Sequence, residues 1–325
     1  MGNVRTRRYQ AGVLDAEDFP LSDVAKYLDM SDVLVWVDFV EPTADQLAEL
    51  ADELGLHELA IEDALAPHER SKIDRYPTHL FVSCHAVRFD RARMRLDTSE
   101  VDAFVGDRWV VTVRASEGYD IDPVLRRWDD TPDLVATGPG ALVHGLLDDI
   151  VDRYFDALGQ FDAYYDEVSE EVFSERPLRL DQQREWFEMR RALAKFHRLV
   201  LPLREALSGL VRRQHDIVDP LMLPYWQDLY DHVIVVNETT DSLRDLVSSL
   251  VDANLSLRDY RQNQVMKKVS SWAAIVAAPT LVTGYYGMNV PFPGSGETLG
   301  VVVSSLVIVA VSLALYVLFR RRDWL

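Results

Sequence analysis

Apolar and polar positions follow three rhythms along the chain. Up to residue 135, short apolar runs alternate with amphipathic stretches. Asp32–Phe39 and Leu80–Arg88 are rich in Val, Phe and Leu and read as strands. Val101–Phe104 and Trp109–Val113 flank Gly106-Asp107-Arg108 and read as a hairpin. Thr43 is placed to start a helix over Ala44–Leu54, and His57–Leu65 begins another. These elements predict a compact α/β domain over 1–135, with a topology that element order leaves open.

The second rhythm is helical. Ala141–Phe173 reads as one long helix, and Leu178–Arg213 as a second, broken by Pro202, which removes a backbone bond and predicts a kink. These make a long-helix region over 136–224, punctuated by Pro220 and Pro224. From Tyr225 the pattern runs without Pro or Gly into an apolar stretch and, tolerating Pro279, reaches Tyr286. Such a helix has roughly 60 residues and is about 90 Å long at 1.5 Å per residue, a stalk over 225–268 continuing into a membrane.

The third rhythm is nearly charge-free. From Val269 to Phe319 the only formal charge is Glu297, in a chain that is 27% charged as a whole. Two apolar runs, 269–288 and 299–319, flank a loop over 289–298, and a basic tail follows over 320–325. Each run is about 20 residues, enough to cross a hydrocarbon core of roughly 30 Å. The fold class expected is an α+β membrane protein with a large aqueous domain and two C-terminal transmembrane helices. The competing reading is a buried helical hairpin in a soluble core, which rarely tolerates so long a charge-free stretch.

Flanking charges predict the orientation. Lys267 and Lys268 precede the first run, Arg320, Arg321 and Arg322 follow the second, and the connecting loop has no base. The positive-inside rule therefore puts both termini in the cytoplasm. Residues 1–30 contain no apolar signal region, so the first ~265 residues are expected to stay on the side where they are made. The net charge of −19 argues against nucleic acid as a partner. The single Cys84 excludes an internal disulfide and a multi-Cys zinc site.

Two spans enclose no aqueous path, so a pore needs several copies around an axis. At helical spacing on the long helix lie Asp252, Leu255, Asp259, Asn263, Met266, Ser270, Ala273, Ala277, Thr280 and Gly284. In the membrane half this stripe is small and partly polar, while Trp272, Ile275 and Leu281 lie off it. Small residues also pack helices closely in lipid. In a ring of copies the two uses coincide. The run ends in Tyr286-Gly287-Met288-Asn289. Gly287 permits a close backbone approach, and Asn289 offers an uncharged amide oxygen once per copy. Mg²⁺ gives up water reluctantly, so a ring of amide and carbonyl oxygens suits its hydrated form. The same residues would serve equally as a helix C-cap.

Tyr286-Gly287-Met288-Asn289 closing the first of two C-terminal spans resembles the CorA family of divalent-cation transporters. The resemblance extends through Asn263-Gln-Val-Met266-Lys267, Asp228-Leu-Tyr-Asp231-His232 and a basic end in Trp324-Leu325. It implies a homopentamer with a funnel-shaped cytoplasmic part and one central pore in the cell membrane. Gly287, Met288 and Asn289 would then form the outer site for hydrated Mg²⁺, with Thr280, Asn263 and Asp252 as rings below. Met266 and Val269 fall at the family's hydrophobic constriction, which gates by dewetting. The resemblance also implies a regulatory Mg²⁺ between subunits, held by Asp90 of one copy and Asp228 of the next. Empty, the two carboxylates repel; a cation bridging them favours the closed ring.

Two departures stand out. Val-Pro-Phe-Pro and a later Glu297 replace the family's acidic loop. Ala277 stands where larger residues occur, which would relax selectivity toward Co²⁺ or Ni²⁺. A ZntB-like Zn²⁺ transporter is the alternative within transport, motivated by eight histidines and by His232 one turn after Asp228. A membrane-anchored sensor or enzyme is the alternative outside it. No catalytic motif supports an enzyme: the chain has no His-Glu-x-x-His, P-loop or Gly-x-Ser-x-Gly. The acidic run Asp162–Glu175 reads as a solvated helix face.

Overall fold

The computed structural model describes residues 4–66, 70–173, 179–213, 219–288 and 297–325. In chain order they form β1 Val4–Gln10, β2 Val13–Glu17, α1 Val24–Leu28, β3 Val33–Val40, α2 Ala44–Leu54 and α3 Glu58–Leu65. β4 Lys72–Arg75, β5 Leu80–Asp90, β6 Arg95–Val105, β7 Trp109–Arg114, α4 Asp122–Asp130 and α5 Pro132–Val135 follow. The long helices are α6 Pro139–Phe173, α7 Leu180–Arg213, α8 Leu223–Tyr286 and α9 Thr298–Arg321. Two compact units result, Met1–Ser248 and Ser249–Leu325.

The first unit is built on a seven-stranded sheet in the order β2-β1-β3-β7-β6-β5-β4. All described pairings are antiparallel except β3 with β7. β3 is buried along its whole length because both neighbours and both faces are covered. On one face Val35, Val37 and Phe39 pack with Leu47, Leu50 and Leu54 of α2 and Ala60 of α3. On the other, Trp36 meets Trp128 of α4 edge to face at 5.4 Å.

Local chemistry fixes the helix ends. Thr43 Oγ1 accepts from the Gln46 backbone N–H at 3.4 Å while Gln46 Oε1 accepts from the Thr43 N–H at 2.9 Å. This reciprocal capping box starts α2 as expected. Gly55, at φ 65°, ends it in the left-handed region that a side chain would strain. His57 caps α3 through Nδ1, which accepts from the Leu59 N–H at 3.2 Å.

α6 and α7 tie helices to sheet. Tyr154 OH donates to the His85 carbonyl at 2.7 Å, and Phe89 packs on Phe161. Lys195 of α7 donates to Thr98 Oγ1 at 3.0 Å. The expected break at Pro202 does not occur: α7 runs through it. A helix-interior proline loses a hydrogen bond and costs about 3 kcal/mol. Burial of Leu199, Val200, Leu203 and Leu207 around it offsets that cost. The expected start of this helix at Leu178 lies outside the described residues.

α8 is a single 64-residue helix that accommodates Pro224 in its first turn and Pro279 in its interior. Its first part packs within the first unit, where Trp226, Leu229, Val233 and Val236 are fully buried. Its remainder and α9 make up the second unit. Both α8 and α9 contain windows apolar enough to span a membrane.

Candidate ion pathway and cation sites

All ten stripe residues, from Asp252 to Gly284, are exposed in the single chain. Several residues between them are exposed as well, Val265, Trp272, Val276 and Leu281 by 55–78%. Ser271 is fully buried, and Gln264, Lys267, Ala274, Ala278 and Val282 are part-covered. α8 therefore has a narrow covered strip on an otherwise exposed surface, and Asp252, Asn263, Met266, Val269, Ala277, Thr280 and Gly284 all lie on the exposed part. Met266 and Val269 are 57% and 59% exposed, too apolar to face water without a partner.

Two hydroxyls in the apolar part of this helix are satisfied by its own backbone. Ser271 Oγ donates to the Lys267 carbonyl at 2.8 Å and Thr280 Oγ1 to the Val276 carbonyl at 3.1 Å. That satisfies the bilayer's demand for internally paired polar groups, and in the exposed Thr280 it leaves the oxygen's lone pairs free to meet a hydrated ion. A groove of about 1190 Å³ runs along Ala277, Thr280, Gly284 and Met288, and Val307 of α9 also lines it.

At the end of α8 the Gly287 N–H donates to the Thr283 carbonyl at 2.8 Å. A Cβ on Gly287 would lie 3.0 Å from that same oxygen, a tight contact that glycine avoids. Met288 follows, about half exposed, its N–H donating to the Tyr285 carbonyl at 3.3 Å. Asn289 lies outside the described residues. Glu297 is the N-cap residue of α9, where a negative charge suits the helix dipole.

The two expected sensor carboxylates lie on different elements. Asp90 ends β5, and its Oδ1 accepts from the Arg93 backbone N–H at 3.1 Å, closing the turn into β6. Asp228 sits near the start of α8 with its side chain 70% exposed and His232 Nδ1 at 3.8 Å from Oδ2. Among the described residues no group of three or more His, Cys, Asp or Glu side chains is placed to hold a metal. A cation at either carboxylate therefore needs water or another copy to complete its shell.

The structure also reveals buried polar groups that sequence rhythm did not flag. Asp38 of β3 and Arg114 of β7 form an ion pair, 0% and 9% exposed, with Nη2 2.6 Å from Oδ2. Thr112 Oγ1 adds a hydrogen bond to Asp38 Oδ1 at 2.6 Å. Asp102 of β6 is 3% exposed, and its Oδ1 has no hydrogen-bond partner. Burial, with Glu100 adding repulsion, pushes its carboxyl up to about 8. The detectable signal was Asp102 between the apolar Val101 and Ala103-Phe104-Val105, two residues after Glu100.

Residues 31–321 match the family model described as CorA-like Mg²⁺ transporter protein. The chain belongs to that family. The YfjQ protein of Bacillus subtilis is 32% identical over 259 residues, covering 79% of each chain. The cobalt/magnesium transport protein CorA of Thermotoga maritima is 29% identical over 311 residues, 92% of this chain and 88% of that one. Among solved structures, the CorA magnesium transporter of Methanocaldococcus jannaschii is similar at a TM-score of 0.79 and 19% identity, with 98% of each chain covered. That likeness is one of fold. The CorA-like fold, with an N-terminal α/β domain, a long helix and two C-terminal apolar helices, is thus present along the chain. This is a family of membrane transporters, not of enzymes.

Proposed function

We propose that this chain forms a channel for Mg²⁺, and for Co²⁺ as a secondary cargo, around a ring of α8 helices. The observation that carries this reading is the stripe of exposed, small and partly polar residues on α8 that leads to the Gly287-Met288-Asn289 sequence in a member of the CorA-like family. Five copies around one axis would turn each stripe residue into a ring. Asn289, with Gly287 and Met288, selects the hydrated ion; Thr280, Gly284 and Ala277 line the path; Met266 and Val269 gate it by dewetting. Asn263 and Asp252 are rings on the cytoplasmic side. Both termini are cytoplasmic, as the Lys267–Lys268 and Arg320–Arg322 clusters favour.

Cytoplasmic Mg²⁺ bridging Asp90 of one copy and Asp228 of the next holds the ring closed. Losing that ion removes a differential contact of the closed state and shifts the population toward open forms. The Zn²⁺ reading is weaker, because the family model and the Thermotoga relative are named for magnesium and cobalt.

Uptake into liposomes holding the purified protein, with Mg²⁺, Co²⁺, Ni²⁺ and Zn²⁺ compared, tests this function. Flux of Mg²⁺ and Co²⁺ is expected, lost in Asn289→Ala with the oligomer intact. No divalent flux would sink the channel reading. Unchanged flux in Asn289→Ala would reduce the motif to a helix cap.

A further inference from the structure

We propose that the basic end of the α8–α9 hairpin binds anionic phospholipid headgroups. Arg320, Arg321, Arg322 and Lys268 are exposed and Lys267 is part-covered. Among the described residues none of the five side chains has an ion pair or hydrogen bond.

Connectivity brings the five charges to one level. Twenty residues of α8 separate Lys267 from Gly287, and twenty-two of α9 separate Thr298 from Arg320. At 1.5 Å per residue both clusters lie about 30 Å from the turn. Val307, midway along α9, lines the same groove as Val276 and Ala277, midway along the α8 span, so the two helices run side by side.

The tail adds a second feature. Asp323 adopts φ 54°, and the chain folds back so that the Trp324 N–H donates to the Phe319 carbonyl at 3.0 Å. The Trp324 ring stacks on Phe319 at 5.7 Å and 11°. An indole held beside three guanidinium groups, directly beyond an apolar helix, is the composition of a membrane-interface anchor. Guanidinium forks match phosphodiester oxygens, and each base near an anionic surface strengthens binding.

A phospholipid fits better than a soluble anion. Below the arginines, Val309, Leu313, Val317 and Leu318 are 41–62% exposed and need acyl chains to cover them. One molecule with a phosphate at the level of the arginines and acyl chains along α9 satisfies both surfaces. Lys267 and Lys268 lie between Met266 and Val269, so a bound headgroup touches the segment read above as the constriction. This consequence for flux rests on that reading; the binding itself does not.

The test uses the full-length protein in mixed micelles of phosphatidylglycerol and phosphatidylcholine at equal amounts, with retained lipids counted by native mass spectrometry. Wild type should retain phosphatidylglycerol over phosphatidylcholine by about tenfold or more, from several bases each worth roughly 1 kcal/mol. The triple variant Arg320→Gln, Arg321→Gln, Arg322→Gln should fall to parity with its helix content unchanged. If the triple variant does not insert, Arg322→Gln alone should lower the ratio measurably. Equal retention by wild type, as when carboxylates of another copy neutralise the arginines, would overturn the proposal, and so would a preference that survives the substitutions. Lipid preference without ion flux would refute the channel reading and leave the lipid site standing. In a conducting protein, flux should also differ between the two lipids.

Discussion

Asp90 accepts the Arg93 backbone N–H at 3.1 Å, so the expected sensor carboxylate on β5 is also the brace of its own turn. One oxygen is committed to the backbone, and Oδ2 pairs with Arg93 Nε at 3.8 Å, so a metal cation at Asp90 has to compete with that guanidinium. The two roles are separable. Asp90→Asn keeps an acceptor for the turn and loses the charge, so it should weaken inhibition by internal Mg²⁺ with little change in melting temperature. Asp90→Ala should do the same and also destabilise the domain by about 1 kcal/mol. Dose–response curves of flux and thermal unfolding of both variants check this; an inhibition curve unaltered in Asp90→Asn would remove Asp90 from the sensor.

A Cβ at Gly284 meets nothing within 4 Å in the single chain, whereas one at Gly287 meets the Thr283 carbonyl at 3.0 Å. Gly284→Leu should therefore leave the isolated helix unperturbed and block flux only by crowding other copies. Gly287→Val should distort the turn itself. Circular dichroism, cross-linked oligomer yield and uptake, measured together, distinguish them. Wild-type flux in Gly284→Leu would take that residue out of the pore.

Asp102 titrates at about 8 in the folded chain, against roughly 4 for an exposed aspartate. Between these values the folded state holds a proton that the unfolded state has released. Its contribution to stability is thus full below pH 4, falls as pH rises to about 8, and is flat above. Asp102→Asn removes this slope. The variant should match or trail wild type at pH 5 and exceed it by on the order of 1–3 kcal/mol at pH 8. Unfolding midpoints across pH 5 to 8.5 read this directly, and parallel curves for the two proteins would refute a protonated Asp102.

The Asp38–Arg114 pair joins the only two parallel neighbours described in the sheet. Removing one partner leaves an uncompensated buried charge, so Arg114→Met should cost about 3–5 kcal/mol. Adding Asp38→Leu to Arg114→Met should recover much of that loss. Denaturant midpoints of the two variants decide whether the pair is coupled in this way.

Some elements were legible because their information is local. Thr43 and Gln46 announce α2 through a cap that closes within four residues, and the 3.6-residue period of α8 needs no partner. β1, β2 and β4 went unread, since Arg7, Arg8 and Lys72 break the apolar alternation and are tolerated through ion pairs with Glu17, Asp15 and Asp63 from elsewhere in the fold. Pro202 misled for a related reason: the backbone penalty is local, whereas the burial that offsets it is tertiary.

By itself the sequence determined the two C-terminal apolar helices and the long helix, because hydropathy and helical period act along a continuous stretch of chain. Only the tertiary structure decided the parallel pairing of β3 with β7, the burial of Ser271 on α8, and the burial of Asp102. Each of these depends on which distant side chains remove water from a group, and no local pattern encodes that.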